Sequence, residues 1–246
     1  MFTGFPEETL RFFLDLRYHN SGEWFHSHRE QYERDVRAPF YAFIEDMLPT
    51  LLEIDGDMER RPHKCLSRIN RDTRFSRDKS PYRDHLWVWF HRAAEARDRS
   101  VGFWFELGPD GVGWGLGTWD ENRPMMDCLR RKIAADPARI SGILSSCGLP
   151  ERHLHAELRT FKRLEIPPGV PDHLRSWYAI RTLYLYQTRA DMAETASDAL
   201  LRHVAADYLA CAPIYRLLRG CADEAEPPAE EDSAGLLRRA RREDEW

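Results

Sequence analysis

Residues 68–85 concentrate the side chains best suited to chemistry: Arg68, Arg71, Asp72, Arg74, Ser76, Asp78, Lys79, Tyr82 and His85. Arginine forks such as those at 71 and 74 match a carboxylate or phosphate two hydrogen bonds at a time, and Lys79 adds a compact point charge. Asp72 and Asp78 suit the orientation of those guanidinium groups, Asp72 more as an orienter than as a base, since a base role needs partial burial. Ser76 and Tyr82 supply neutral hydrogen bonds, with Tyr82 the best candidate to contact a substrate's polar group, and His85 adds an acid or base. One reading therefore takes Arg68, Arg71, Asp72, Arg74, Asp78, Lys79 and Tyr82 as the binding residues for a phosphate- or carboxylate-bearing small molecule, in an enzyme or a binding protein. The alternative is a non-catalytic module. There the interleaved Arg and Asp satisfy one another and the loop's own carbonyls as a structural clamp, or grip an acidic partner.

Neither helical nor alternating periodicity fits this segment, so it is placed on a long ordered loop between two strands, and the flanking patterns define what must hold it. Upstream the chain reads helical. Leu10, Phe13 and Leu14 form a stripe after Pro6; a second stripe from Ser21 or Gly22 carries Trp24, Phe25, His28, Tyr32 and Val36. Pro39 punctuates it, and Phe40, Phe43, Ile44, Met47, Leu51 and Leu52 continue at helical spacing, with Pro49 expected to kink or end the run.

Downstream the period changes to two. Leu86, Val88 and Phe90 alternate with Trp87, Trp89 and His91; Val101, Phe103, Phe105 and Leu107 alternate with Gly102, Trp104 and Glu106. Gly108-Pro109-Asp110-Gly111 is a turn signal before Val112, Trp114 and Leu116, so an antiparallel meander is expected, with helices on one face and a ligand cleft on the other. Helices return with Asp120 or Asn122 as a cap and again at Asp136-Pro137, while Leu183–Tyr186 fits either a strand or a helix end. From Ser197 the series Leu200, Leu201, Val204, Ala205, Tyr208 and Leu209 reads as an amphipathic helix that Pro213 bends or ends.

These patterns predict one α+β domain over 1–220, a central antiparallel sheet packed with N-terminal and C-terminal helices, the latter closing the other side. A mobile charged tail is expected over 221–246, where composition turns acidic and then basic.

Within the resulting frame the segment 68–85 resembles a sparsely distributed domain-of-unknown-function family. Its hallmark is Arg-x-x-Arg-Asp-x-Arg-Phe-x-x-x-Asp/Asn-Lys-x-x-Tyr, matched here at Arg68, Arg71, Asp72, Arg74, Phe75, Asp78, Lys79 and Tyr82. Phe2-x-Gly4-Phe5, Asn20-x-x-Glu23-Trp24-Phe25, the Gly-rich strand before Trp119 and Phe161-Lys162-Arg163 extend the resemblance over 2–219; His19 and Arg83 depart from it. The resemblance implies a location for a site but no activity, substrate or cofactor.

Composition bounds the function classes. The 246 residues carry a net charge of −5, yet residues 60–99 alone carry ten Arg and two Lys against five acidic residues. A globally basic nucleic-acid binder is disfavoured while a local anion site is not. The excess of arginine over lysine fits a GC-rich, bacterial genome. No apolar run approaches the ~20 residues that span a bilayer, and the N-terminus lacks a signal-peptide pattern, so a cytoplasmic protein is expected. The five cysteines, without a Cys-x-x-Cys pair, read as reduced buried thiols. His26-x-His28 and His153-x-His155 sit two residues apart, which on a helix points them away from each other, so no metal is expected. No P-loop, nucleophile elbow or dinucleotide fingerprint is present, and the cofactor is left open.

Overall fold

The computed structural model describes residues 1–95, 100–189 and 192–225. Helix α1 (Glu7–Tyr18) buries Thr9, Phe12, Phe13 and Leu16. Its buried stripe is rotated from the one expected, since Leu14 faces outward. Ser21 caps α2 (Gly22–Ser27), its hydroxyl accepting from the Trp24 amide at 3.2 Å. The chain then passes through α3 (Arg29–Gln31) and a π-helical turn (Tyr32–Arg37) into α4 (Ala38–Ile54). Pro39 lies in the first turn of α4, where its missing N–H is no loss. Pro49 does not end the helix, which excludes one of the two outcomes expected from the sequence, a kink or an end. Burial of Met47, Leu51 and Ile54 at roughly 1.5–3 kcal/mol each outweighs an interior proline at about 3 kcal/mol.

After α5 (Pro62–Cys65) come β1 (Leu86–Phe90), β2 (Val101–Gly108) and β3 (Gly111–Thr118). Next are α6 (Arg123–Ala135), α7 (Pro137–Ser146), β4 (His155–Thr160), α8 (Asp172–Tyr178), β5 (Ile180–Arg189), a 3-10 turn (Ala193–Ala196) and α9 (Ala199–Ala225). Asn122 and Asp136 cap α6 and α7, accepting from Met125 and Arg139 amides at 3.1 and 2.9 Å. The strands form one antiparallel sheet in the order β1-β2-β3-β5-β4. Leu183–Tyr186 is thus strand. Edge strand β4 escaped the sequence reading because only Ala156 and Leu158 alternate with its exposed polar residues, too short an apolar pattern to mark a strand.

The architecture is α+β, with a correction to the layering. Phe5, Phe40 and Phe43 pack on Phe105, while Tyr208 and Tyr215 of α9 pack on Phe103. Phe103 and Phe105 share one side of β2, so the N-terminal and C-terminal helices share one face rather than enclosing the sheet. The other face carries Trp87, Trp89, Trp104 and Glu106 opposite the glycines of β3. Gly115 is required for pairing: a Cβ there would stand 1.8 Å from the Leu185 carbonyl oxygen. Gly4 adopts φ +116°, and a Cβ there would meet the Ala196 backbone at 2.2 Å. This lets Phe2 and Phe5 enter the core while Phe5 N–H donates to the Thr195 carbonyl at 2.7 Å.

Pro213 does not end α9 either. The helix runs past the expected boundary at 220 to Ala225, burying Cys221 and Ala222. The remainder of the expected tail, 226–246, lies outside the described residues. All five cysteines are free and buried. Among the described residues, no helix is long and apolar enough to cross a membrane.

Candidate functional site

The basic segment lies between α5 and β1, not between two strands, and it is closed at a neck. Arg71 N–H donates to the Pro81 carbonyl and Arg83 N–H to the Ile69 carbonyl, each at 2.8 Å, with Asn70 and Tyr82 bridged between them. The Arg83 guanidinium donates to the Arg68 carbonyl at 2.9 Å and to the Asn70 carbonyl, and lies over Trp87 at 4.6 Å. Burial, then the charge of Arg71, draw its pKa below the usual guanidinium value. The Asn20 side chain clasps Tyr82 from the other side: its Oδ1 accepts from Tyr82 N–H and its Nδ2 donates to the Tyr82 carbonyl, both at 2.9 Å. Phe25 stacks on the Tyr82 ring at 4.2 Å.

Beyond the neck the loop is largely self-satisfied. Arg71 donates to Asp78, and Arg74 donates to Asp72 through Nη2 at 2.9 Å and Nε at 3.1 Å. Lys79 Nζ donates to the Thr73 carbonyl at 2.8 Å. Asp72 orients Arg74 and also accepts its backbone N–H at 3.1 Å. The Arg71 and Ser80 hydrogen bonds hold the Asp78 carboxyl well below the ordinary carboxylate range, and those of Arg74 lower Asp72. Both therefore stay ionised near neutrality, as ion-pair partners rather than bases. Phe75, at the tip, is 94% exposed. His85 points elsewhere, its Nδ1 3.0 Å from Asp84.

The ends of the motif meet the N-terminal helices around a pocket of about 390 Å³. Arg68, Asn70 and Tyr82 line it from the motif; His26, Arg29, Glu33, Arg37 and Tyr41 line it from the helices, and His63 from α5. Arg37 is fixed by Glu33, at 2.9 Å to each carboxylate oxygen, and by the Tyr41 hydroxyl at 2.9 and 3.1 Å. Arg29 and Arg68 form no side-chain hydrogen bond or ion pair among the described residues. Three arginines thus face one glutamate. The π-helical turn supplies Tyr32, Glu33 and Arg37, and such turns recur at functional sites because they displace a helix face by one residue. Sequence reasoning passed over Arg29, Glu33, Arg37 and Tyr41, although their four-residue spacing places them on one helical face.

A second polar group also went unread. Asp207, 2% exposed, accepts from Trp114 Nε1 at 2.8 Å and Arg152 Nη1 at 3.0 Å. Alongside it, His203 lies 3.2 Å from both Glu194 and Arg189. Arg152, Gln187, His203 and Asp207 border a surface depression of about 750 Å³. Because the residues come from β5, α9 and the turn after α7, no local sequence pattern joins them. Of the expected histidine pairs, His28 Nδ1 lies 2.8 Å from the Trp24 carbonyl and His155 packs on Tyr186 at 5.7 Å. No three His, Cys, Asp or Glu side chains converge as a metal set among the described residues.

An antiparallel sheet backed on one face by helices, with an Arg/Asp-rich loop docked at its first strand, defines an α+β fold. Residues 8–216 match DUF2461, a family of conserved hypothetical proteins, and the chain belongs to that family. A comparison with curated proteins returns no match.

Proposed function

We propose that the protein binds a phosphate- or carboxylate-bearing small molecule in the pocket between the helical run 26–41 and the motif segment 68–82. The observation that carries this reading is the state of Arg29 and Arg68. Both line one pocket of about 390 Å³ without partners among the described residues, whereas Arg71, Arg74 and Lys79 are engaged by their own loop. The volume lies within the range of small-molecule sites, and unpaired guanidinium groups gain most from an anion. In this reading Arg68 and Tyr82 contact the ligand, Arg37 adds charge, and Arg71, Asp72, Arg74, Asp78 and Lys79 hold the loop's shape. The five free, buried cysteines support a reducing, cytoplasmic setting.

Calorimetric titration with inorganic phosphate and with succinate tests this. Arg68→Ala and Arg29→Ala are each expected to weaken binding by about tenfold or more, while Arg74→Ala leaves it unchanged. A wild type that binds neither probe, or an Arg74→Ala loss equal to that of Arg68→Ala, refutes the pocket.

A second reading, a docking loop for an acidic partner, draws support from the tip: Phe75 is 94% exposed, with the Arg74 guanidinium 5.8 Å from its ring centre. It separates cleanly from the first. Phe75→Ala leaves phosphate binding intact under the pocket reading and abolishes partner capture under the docking reading.

A further inference from the structure

The sheet face opposite the helices is built in rows. Glu106 on β2 faces Gly113 on β3, which faces Thr188 on β5; the next row is Trp104, Gly115, Tyr186 and His155; the next is Gly102, Gly117, Tyr184 and Glu157. With no side chains on this face of β3, the Trp104 ring lies down over the strand. A Cβ at Gly113 would come 3.2 Å from Trp104 Cη2, and one at Gly115 3.0 Å from its Nε1. Tyr184 stacks on Trp104 at 4.8 Å with ring planes 13° apart, and Tyr186 follows at 6.0 Å from Tyr184. In this pose Trp104 Nε1 is buried without a hydrogen-bond acceptor. A buried donor left unpaired opposes the pose, so what holds it is the stacked aromatic surface itself. Tyr184 stays 38% exposed on a cleft of about 490 Å³.

The charges around this cleft divide into engaged and unengaged groups. Arg17 is occupied by Asp84 at 2.5 Å and by Asp110 at 2.6 and 3.0 Å. Arg189 is occupied by Glu194 and by His203, the latter at 3.2 Å. Glu106 and Glu157 form no hydrogen bond or ion pair among the described residues and line the cleft with Tyr184 and Tyr186. After burial, these two carboxylates are what push the Tyr184 phenol above its ordinary value, so both charges act on the ring. The unengaged charge is negative and stands beside exposed aromatic faces, whose own quadrupoles attract cations.

We propose that this cleft binds a small organic cation, an alkylammonium or guanidinium group, held against the faces of Tyr184 and Tyr186 and balanced by Glu106 and Glu157. The site shares no lining residue with the anion pocket and is of opposite charge. Trp104 serves as the floor that sets Tyr184 in place.

Agmatine, which carries both cationic groups, is the probe, titrated calorimetrically into the full chain. The wild type is expected to bind it on the order of 0.1 mM or tighter, and Glu106→Gln/Glu157→Gln to weaken binding by about tenfold or more. The double variant retains the wild-type thermal midpoint, because both side chains are exposed and unpaired. Tyr184→Leu weakens agmatine comparably, and in the wild type agmatine shifts the Trp104 indole N–H resonance, whereas inorganic phosphate does not. Glu7→Gln/Glu8→Gln, an acidic pair at the start of α1, controls for general attraction to a negatively charged protein, and Arg68→Ala controls for the anion pocket. Unchanged agmatine binding in both controls supports the cleft. No binding by the wild type, an unaffected Glu106→Gln/Glu157→Gln variant, or an equal loss in Glu7→Gln/Glu8→Gln overturns it.

Discussion

Asn20 ties the helical N-terminus to the basic loop through a single amide. Its carbonyl and amino groups satisfy both backbone groups of Tyr82 at 2.9 Å, while Phe25 stacks on the Tyr82 ring. Losing that clasp leaves a partly buried N–H and C=O without partners. Asn20→Ala is therefore expected to lower the unfolding free energy by about 1–2 kcal/mol, and Asn20→Asp by less, since a carboxylate still accepts from Tyr82 N–H. Urea denaturation measures both, and an Asn20→Ala midpoint equal to the wild type contradicts the clasp. The Arg74–Asp72 pair, by contrast, is exposed on both sides, so Arg74→Ala should leave the urea midpoint close to that of the wild type. At this scale the sequence marks Arg68–Tyr82 as one Arg/Asp-rich segment. It gave no means of telling that Arg71 and Arg74 are paired while Arg68 is not. Partnership depends on where a fork of five donors ends up, and two arginines three residues apart have no intrinsic difference.

Among the elements, the π-helical turn and α9 decide most. The turn at Tyr32–Arg37 brings Glu33 and Arg37 to the pocket and seats Tyr32 in the core, where burial raises its phenol. α9 carries Asp207 against β3 and the turn before β4, joining three parts of the chain at one carboxylate. Removing a buried charge that two donors share leaves the Trp114 indole and the Arg152 guanidinium unmatched. Asp207→Ala should cost about 3 kcal/mol or more, and Asp207→Asn less, because an amide oxygen still accepts from Trp114. Thermal unfolding separates these outcomes, and equal midpoints for wild type and Asp207→Ala would show that the network is ornamental. Helix α4 was legible from its apolar spacing despite Pro49, and β2–β3 from alternation about Gly108–Gly111. Strand β4 was not, because a mostly exposed edge strand with Ala156 and Leu158 as its only apolar residues carries too short a hydrophobic period to be read.

For the whole molecule, acid sensitivity follows from carboxylates that close the sheet's first edge. Glu59 is buried and accepts from Arg61 through its backbone N–H at 2.9 Å, Nε at 2.9 Å and Nη2 at 2.6 Å. The Arg61 hydrogen bonds, chiefly that of its side chain, hold the Glu59 carboxyl down to about 2. A carboxyl lowered on folding contributes stability that is fully present above its unfolded value near 4.5 and disappears as pH falls from there towards about 2. Arg61 is itself solvent-exposed, so screening limits the contribution to about 1 kcal/mol. Asp55 acts in the same direction, with its carboxyl lowered by Tyr215 and Arg92 against the opposing effect of burial. It accepts from them at 2.6 and 2.8 Å, linking the end of α4 to α9. Glu59→Gln should lower stability at pH 7 and flatten the wild type's loss between pH 4.5 and 2; parallel acid-unfolding curves contradict this.

What the amino-acid order alone determined was local: a helical N-terminus, a meander around Gly108–Gly111, an amphipathic C-terminal helix and one irregular, Arg/Asp-rich segment. Each rests on interactions between near neighbours, whose periodicity is written into consecutive residues. The tertiary structure decided the rest. Placing α4 and α9 on the same sheet face left the glycine and tryptophan face to form a cleft. Folding the 68–82 neck against Asn20 and Phe25 set Arg68 beside Arg29 while Arg71 and Arg74 turned inward to their own aspartates. Those outcomes depend on contacts between residues dozens of positions apart, where burial, charge pairing and steric room at Gly4 and Gly115 are settled together.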